Sequence, residues 1–224
     1  MKAGRLAKRR KRGLFLTLEG IEGVGKSTHS ECMRQWFEAH GRRVVLTREP
    51  GGTAVGEQIR DLLLFRRTGY RLDERTELLL MFCARQQHVA EIILPALNAG
   101  RVVISDRFTD STHAYQGGGH RIPAAEIRVL EKWVQKGLKP DLTILLDLPV
   151  KIGLERAGIR GNDPEYRGRD WFESRTLPFF RRVRRRYLEI AQAEPGRVKV
   201  VDANRPVERI QQDLFELMER KGWI

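Results

Sequence analysis

Short aliphatic runs alternate along the chain with longer segments whose apolar residues recur every three or four positions. Each run is almost wholly apolar, which is typical of a strand buried on both faces of a parallel sheet. The runs predict five strands, at residues 14–18, 43–47, 101–105, 142–146 and 198–201.

The longer segments predict helices at residues 27–40, 73–98, 123–136, 150–157, 172–193 and 207–221, with a further helix around residues 59–64. Strands that alternate with helices favour an α/β fold, with a parallel sheet of about five strands flanked by helices on both faces. Two glycine-containing segments interrupt this pattern. Residues 117–119 are predicted to form a flexible loop, and residues 156–172 a mobile lid.

A phosphate-binding motif follows the first predicted strand. It fits the pattern GxxxxGK[ST] and consists of Gly20, Ile21, Glu22, Gly23, Val24, Gly25, Lys26, Ser27 and Thr28. A strand before the motif and a helix after it are the context in which this loop cradles phosphates with its backbone N–H groups. The lysine is expected to reach the outer phosphates, and the serine hydroxyl is expected to bind Mg²⁺.

The charge of the chain is concentrated at its start. The 224 residues carry a net charge of +13, and residues 1–13 contribute seven basic side chains and no acid. We expect this segment to be a disordered basic tail with at most weak affinity for polyanions, followed by one P-loop domain over residues 14–224. No apolar run approaches the length of a membrane span, and two widely separated cysteines do not predict a disulfide framework. A cytoplasmic protein is therefore expected.

Side chains that follow the other strands extend the candidate site, because ligands bind at the carboxyl ends of parallel strands. Asp106 and Arg107 follow the third strand, and Arg48 ends the second. The carboxylate is suited to orienting Mg²⁺, whereas an arginine can hold a second phosphate in bidentate fashion. On the long helix, Phe82 and Arg85 lie about one turn apart, a spacing that suits stacking and hydrogen bonding to a planar base.

These motifs, in this order, resemble those of the thymidylate kinase family. The matching segments are residues 18–28, 47–53, 82–85, 106–108, 111–119 and 140–147. The resemblance implies transfer of the γ-phosphoryl group from MgATP to dTMP, a step in dTTP synthesis for DNA replication. It also implies a homodimer.

The resemblance further implies roles for individual residues. Lys26 and the loop amides would hold ATP, Ser27 would bind Mg²⁺, and Glu22 would meet the 3′-hydroxyl of dTMP. The remaining residues assigned to dTMP are Arg48, Phe82, Arg85, Arg107, Ser111, Tyr115 and Gln116. Family members often place the stacking aromatic four residues before the arginine, where this chain has Met81, so either Met81 or Phe82 could contact the base.

The family has two arrangements of its catalytic arginine. One places it inside the phosphate loop, at the position that Gly23 occupies here, and the other places it in the lid. Glycine excludes the first arrangement, so the resemblance points to the lid, with Arg160 as the first candidate and Arg156 as the second. Lys26, Asp106 and Arg107 complete the predicted catalytic set.

Two other functions remain open from the residues alone. The chain could phosphorylate a different nucleoside monophosphate, with the pocket around Phe82 and Arg85 deciding which one. Less favoured is a P-loop ATPase that nucleic acid stimulates through the basic tail.

Overall fold

The computed structural model describes residues 12–64, 72–158 and 176–224. Within these ranges it contains one parallel sheet of five strands, in the order β2-β3-β1-β4-β5. The strands are β1 (Leu14–Glu19), β2 (Val44–Arg48), β3 (Val102–Asp106), β4 (Leu142–Asp147) and β5 (Val198–Asp202). The predicted α/β fold and its five strands are confirmed, each strand lying within one residue of its expected position.

Helices cover both faces of the sheet. They are α1 (Lys26–Ala39), α2 (Ala54–Leu64), α3 (Glu74–His88), α4 (Leu94–Asn98), α5 (Thr109–Thr112), α6 (Ala124–Gln135), α7 (Val150–Arg156), α8 (Leu177–Ala193) and α9 (Val207–Arg220). Along β1, Leu16 and Leu18 join the larger core cluster, which includes α1, α8 and α9, whereas Phe15 joins the cluster formed with α4. This alternation is what a strand buried on both faces produces.

The predicted helix over residues 73–98 is present but not uniform. A π-helical turn, Val89–Ile93, joins α3 to α4. Pro95 lies in the first turn of α4, where it lacks the N–H that a regular helix would use. The helix therefore continues past the proline with one locally widened turn.

The expected flexible loop at residues 117–119 is wrong. His113–Gly119 forms a π-helical turn packed against α8. A Cβ atom on Gly118 would lie 2.7 Å from the Arg186 Cβ, and one on Gly119 would lie 2.4 Å from the Phe179 ring. These glycines therefore permit close packing between two helical segments, which sequence composition alone does not distinguish from flexibility.

Two predicted segments, the basic tail and the lid, lie partly outside the described residues. Residues 1–11 of the basic tail and residues 159–172 of the proposed lid are not described. Gly13, which was placed in the tail, is instead buried, and its N–H donates to the Leu97 carbonyl oxygen at 2.8 Å. Within the described ranges, no helix has both the length and the apolar character needed to cross a membrane.

Candidate active site

The phosphate loop lies between the carboxyl end of β1 and the first turn of α1. Gly20, Gly23 and Gly25 have φ values of 139°, 74° and 87°, in the region that side-chain-bearing residues rarely adopt. Lys26 turns back over the loop, and its Nζ donates to the carbonyl oxygens of Ile21 at 2.9 Å and Gly20 at 3.3 Å. Burial and the neighbouring Arg107 charge lower the pKa of this ammonium group to about 8. A bound phosphate would add negative charge beside this ammonium group and favour its protonated form.

Ser27 and Asp106 place oxygen atoms side by side at the adjacent ends of α1 and β3. The Ser27 hydroxyl donates to Asp106 Oδ2 at 3.2 Å. The other carboxylate oxygen, Oδ1, is buried and has no hydrogen-bond partner among the described residues. Hard oxygen atoms with free coordinating capacity are the donor set that Mg²⁺ prefers, so the residues present fit this ion.

Arg107 connects the phosphate loop with the rest of the site. Its guanidinium donates to Gly20 O at 3.0 Å, to Glu22 Oε1 at 2.9 Å and to the hydroxyl of Tyr115 at 3.3 Å. Glu22 also accepts from the Tyr115 hydroxyl at 2.8 Å. The backbone of Arg107 has a φ of 72°, an unfavourable value for a residue with a side chain. The surrounding hydrogen bonds therefore hold this arginine in one orientation next to the loop.

A second set of buried groups supports Arg107 from behind. Glu19 accepts from the Phe108 N–H at 2.8 Å, from Ser111 Oγ at 2.6 Å and from the Tyr187 hydroxyl at 3.0 Å. Ser111 and Tyr187 each also contact Arg107 Nη1 at 3.2 Å. Burial, reinforced by the charge of Asp110, raises the pKa of the Glu19 carboxyl to about 7.

A cleft of about 300 Å³ opens beside Arg107, on the side away from Lys26. It is lined by Glu49, Pro50, Met81, Arg85, Arg107, Phe108, Ser111, Thr112, Tyr115 and Gln116. Four predicted dTMP-binding residues therefore line the same cleft as Arg107. They are Arg85, Ser111, Tyr115 and Gln116. Three of them lie on the segment that follows β3.

Phe82 does not line this cleft, which corrects its assignment to the base. Its side chain is 2% exposed and packs with Ile122 and Ile127 in a core cluster. The Arg85 guanidinium lies 4.9 Å from the centre of the Phe82 ring. Met81, one position earlier, faces the cleft instead. Phe82 thus supports Arg85, and Met81 holds the position expected for contact with a base.

Buried partners hold Arg85 in place. Its Nε donates to Glu49 Oε2 at 2.7 Å, and its Nη2 donates to Thr112 Oγ1 at 2.9 Å. His88 Nδ1 lies 2.9 Å from the other oxygen of Glu49. The Nη1 atom of Arg85 is buried without a hydrogen-bond partner among the described residues. One donor of the guanidinium is therefore left for a molecule in the cleft.

Of the three other arginines that were predicted to act in the site, the structure describes two, Arg48 and Arg156. Arg48 is exposed, contacts Glu57 at 3.0 Å, and lines a larger cleft of about 1100 Å³ in front of the phosphate loop. Arg156 donates to Ala203 O at 3.0 Å and to Asn204 Oδ1 at 3.3 Å, in the turn after β5. Arg160 lies outside the described residues. The roles assigned to these arginines stay predictions.

Sequence reasoning missed several residues of the site. Glu49 lies within the Arg-Glu-Pro-Gly-Gly segment, and Glu19 directly precedes the phosphate loop, so their neighbours could have indicated them. Tyr187 has no such signal, because it lies 168 residues from Glu19 in the sequence. Only the packing of α8 beside β1 brings these two side chains together.

Two joined clefts distinguish this protein from P-loop proteins that only hydrolyse a nucleotide. One cleft lies in front of the phosphate loop, the other lies beyond Arg107, and this arginine lines both. Such an arrangement holds a phosphoryl donor and an acceptor at the same time. The fold and the site define the class of P-loop nucleoside monophosphate kinases.

Comparison with known proteins identifies the family within this class. The family model for thymidylate kinase matches residues 18–214. The chain is 52% identical to a thymidylate kinase of Chromobacterium violaceum over 211 residues, covering 94% of this chain and 95% of that protein. It is 50% identical to the Thiobacillus denitrificans thymidylate kinase, covering 92% and 97% respectively.

A solved structure agrees with the sequence comparison. The thymidylate kinase of Ehrlichia chaffeensis superposes with a TM-score of 0.73 at 33% identity, and the match covers 92% of this chain and 99% of that one. The chain belongs to the thymidylate kinase family, which confirms the resemblance read from its motifs.

Proposed function

We propose that this protein transfers the γ-phosphoryl group of MgATP to dTMP, giving dTDP and ADP. The observation that carries this proposal is the shared position of Arg107. It lines both the cleft in front of the phosphate loop and the cleft that contains Arg85. Positioning and positive charge are the main contributions that a protein makes to phosphoryl transfer, and Arg107 supplies both where the two clefts join.

On the donor side, the loop amides and Lys26 bind the phosphates of ATP. Ser27 and Asp106 would hold Mg²⁺, which offsets phosphate charge when bound. Because the Lys26 ammonium is buried and its pKa is lowered to about 8, the phosphates of ATP would favour its charged form.

On the acceptor side, Arg107 holds the phosphate of dTMP and Glu22 faces its sugar. Glu22 already accepts hydrogen bonds from Arg107 and Tyr115, so the carboxylate is fixed at the boundary between the clefts. Arg85 and Gln116 would read the base and Met81 would pack on it. Arg48 would steer the acceptor from the rim, and Arg160, with Arg156 as the alternative, would neutralise charge on the transferred group.

A coupled assay of ADP release across the nucleoside monophosphates tests this proposal. We expect the highest kcat/KM with dTMP and little ATP hydrolysis without an acceptor. A higher kcat/KM with AMP, dGMP or dCMP would contradict the substrate assignment. ATP hydrolysis that needs DNA and no monophosphate would instead indicate a nucleic-acid-stimulated ATPase.

We further propose that two copies of the chain associate through α3 and α6. Val129 and Trp133 lie one turn apart on α6 and are 68% and 75% exposed, and Leu79 on the neighbouring α3 is 52% exposed. Clustered large apolar side chains at a surface favour contact with another protein surface. Light scattering should give the mass of a dimer for the parent and of a monomer for Trp133→Glu, and equal masses would contradict this interface. The cytoplasmic location stays a prediction.

A further inference from the structure

Gln116 is the only amide side chain that lines the cleft beside Arg107, within the described part of the chain. It lies on the π-helical turn after α5 and is 1% exposed. An amide presents a donor on one side and an acceptor on the other, so its orientation decides which base edge it can bind. The contacts that set this orientation therefore matter for substrate choice.

A buried carboxylate sets the orientation of this amide. Gln116 Nε2 donates to Glu77 Oε1 at 2.8 Å, and Glu77 on α3 is only 1% exposed. An ionised carboxylate can only accept hydrogen bonds, so it requires the nitrogen of the amide on its own side. The carbonyl oxygen of Gln116 then faces the other way. No described residue donates a hydrogen bond to it.

Neighbouring groups keep Glu77 in place. His120 lies between two carboxylates, with Nε2 at 3.2 Å from Glu77 Oε1 and Nδ1 at 3.0 Å from Glu74 Oε1. The carboxylate of Glu77 is thus held by the same turn that carries Gln116. Glu77 Oε1 thus meets both Gln116 and His120, and these two contacts limit the rotation of the carboxylate and fix the polarity of the Gln116 amide.

The cleft then offers a pyrimidine a defined pattern of hydrogen-bonding groups. Arg85 contributes a buried Nη1 donor that has no hydrogen-bond partner among the described residues. Gln116 lines the cleft, and its nitrogen is bonded to Glu77, so its oxygen is the acceptor that it offers. The edge of thymine or uracil presents the O4 acceptor next to the N3–H donor, which complements this pair. Cytosine presents an amino donor next to an N3 acceptor and therefore meets a donor with a donor and an acceptor with an acceptor.

We propose that Glu77 is a specificity-determining positioning residue, which excludes cytosine nucleotides by fixing the direction of the Gln116 amide. The proposal rests on the proposed function, because it takes the cleft beside Arg107 as the site of the acceptor base. Glu77 acts through Gln116 and does not line the cleft itself.

The variant Glu77→Gln tests this role. It keeps the size of the side chain, but its amide can donate as well as accept, so Gln116 is free to turn over. The KM for dTMP and the competition constants of dUMP and dCMP against dTMP are measured on one preparation. Their ratios give the preference for dTMP over each competitor. We expect the preference for dTMP over dCMP to fall by up to about tenfold, the value of one net hydrogen bond. The preference for dTMP over dUMP should not change, because the two bases share this edge.

Glu74→Gln is the matched control. It removes a carboxylate that contacts the same His120 but does not touch Gln116, so the preference for dTMP over dCMP should stay at the parent value. Glu77→Asp keeps the charge and should also retain the preference, even if its KM for dTMP rises. It serves as the test if the glutamine variant does not fold.

The outcomes separate this proposal from the proposed function. If Glu77→Gln weakens dTMP, dUMP and dCMP equally, or if Glu77→Asp loses the preference, then Glu77 has only a structural role. If the parent enzyme itself prefers another monophosphate to dTMP, the proposed function fails regardless of what the variants do.

Discussion

Replacing Glu49 with glutamine should weaken both the fold and the binding of the acceptor. Glu49 Oε2 lies 2.7 Å from Arg85 Nε, Glu49 Oε1 lies 2.9 Å from His88 Nδ1, and none of the three side chains is more than 5% exposed. The variant keeps the size of the side chain but removes its charge. Its amide nitrogen must also face either Arg85 or His88, where the parent has an acceptor.

The burial of this ion pair determines how much unfolding free energy the variant should lose. Removing one partner of a buried ion pair costs roughly 3–5 kcal/mol, because the other charge stays buried. Glutamine retains one acceptor oxygen, so we expect the lower end, about 3 kcal/mol of unfolding free energy. At about 2–4 °C per kcal/mol for a chain of this size, the melting temperature should fall by about 6–12 °C. The KM for dTMP should also rise, because Glu49 orients Arg85, which lines the cleft beside Arg107 and not the cleft in front of the phosphate loop.

Glu126→Gln is the control for this substitution. Glu126 pairs with Arg75 through two contacts of 3.1 Å, but the two side chains are 41% and 69% exposed. Solvent screens this pair, so the control should not measurably change the melting temperature. Thermal unfolding followed by circular dichroism, together with initial-rate kinetics, measures both effects. A melting temperature for Glu49→Gln within about 2 °C of the parent would refute the reasoning.

The pH dependence of the same pair gives a second check. Burial by itself would raise the pKa of Glu49, but the charge of Arg85 and the contact with His88 lower it below its usual value of 4.5. The folded state therefore binds this proton more weakly than the unfolded chain does. The stabilisation is present above the unfolded pKa and is lost as the pH falls through the folded pKa. The difference in stability between the parent and Glu49→Gln should accordingly shrink in acid.

Further substitutions test the other groups of the site. Arg107→Ala should lower kcat/KM for dTMP by roughly 100-fold or more, because it removes charge-assisted hydrogen bonds to the acceptor phosphate, and near-normal turnover would exclude this role. Lys26→Ala should abolish productive use of ATP while dTMP still binds, as measured by calorimetry. For Glu19, whose pKa is raised from 4.5 to about 7, the parent should lose stability as the pH rises through this range, by up to roughly 3 kcal/mol. Urea unfolding at several pH values should show this slope in the parent and not in Glu19→Gln. Arg160→Ala should lower kcat with little change in the affinity for dTMP, and the same result with Arg156→Ala instead would move the assignment to Arg156.

The sheet and the phosphate loop could be predicted because their signals are local. Each strand is a short, mainly apolar run, and the loop is one segment of nine residues that follows such a run. Parallel strands then align their carboxyl ends, as the pairing of Leu18 with Asp106 and of Arg48 with Asp106 shows. The prediction of Lys26, Ser27 and Asp106 in one site therefore followed from the parallel arrangement of the strands.

The side of α3 that faces the cleft could not be predicted in the same way. Successive residues of a helix point about 100° apart, so one position separates a side chain in the core from one in the site. Packing against α6 decides the rotation of α3, and it turns Phe82 towards Ile127 and Met81 towards the cleft. The sequence shows that an apolar side chain precedes Arg85 but does not show which one meets the ligand.

The buried groups that support Arg107 could be recognised only in the complete fold. Glu19, Ser111 and Tyr187 come from β1, α5 and α8, and their mutual contacts span 76 to 168 residues of sequence. Glu19 borders the phosphate loop and Ser111 was predicted to bind the acceptor, but neither position indicates that the two side chains meet Tyr187. Their hydrogen bonds matter because burial makes an unpaired carboxyl or hydroxyl costly, and that burial exists only once α8 has packed over the end of β1.

Gly23 shows how the phosphate loop restricts the origin of the catalytic arginine. A Cβ atom on Gly23 would lie 2.0 Å from the carbonyl oxygen of Gly153 on α7, and one on Gly153 would lie 2.7 Å from the carbonyl oxygen of Glu22. The loop and α7 thus touch backbone to backbone, and no side chain fits between them. An arginine at this position would therefore require α7 to move away from the loop in this protein. The same contact fixes α7, which ends at Arg156, relative to the phosphate loop.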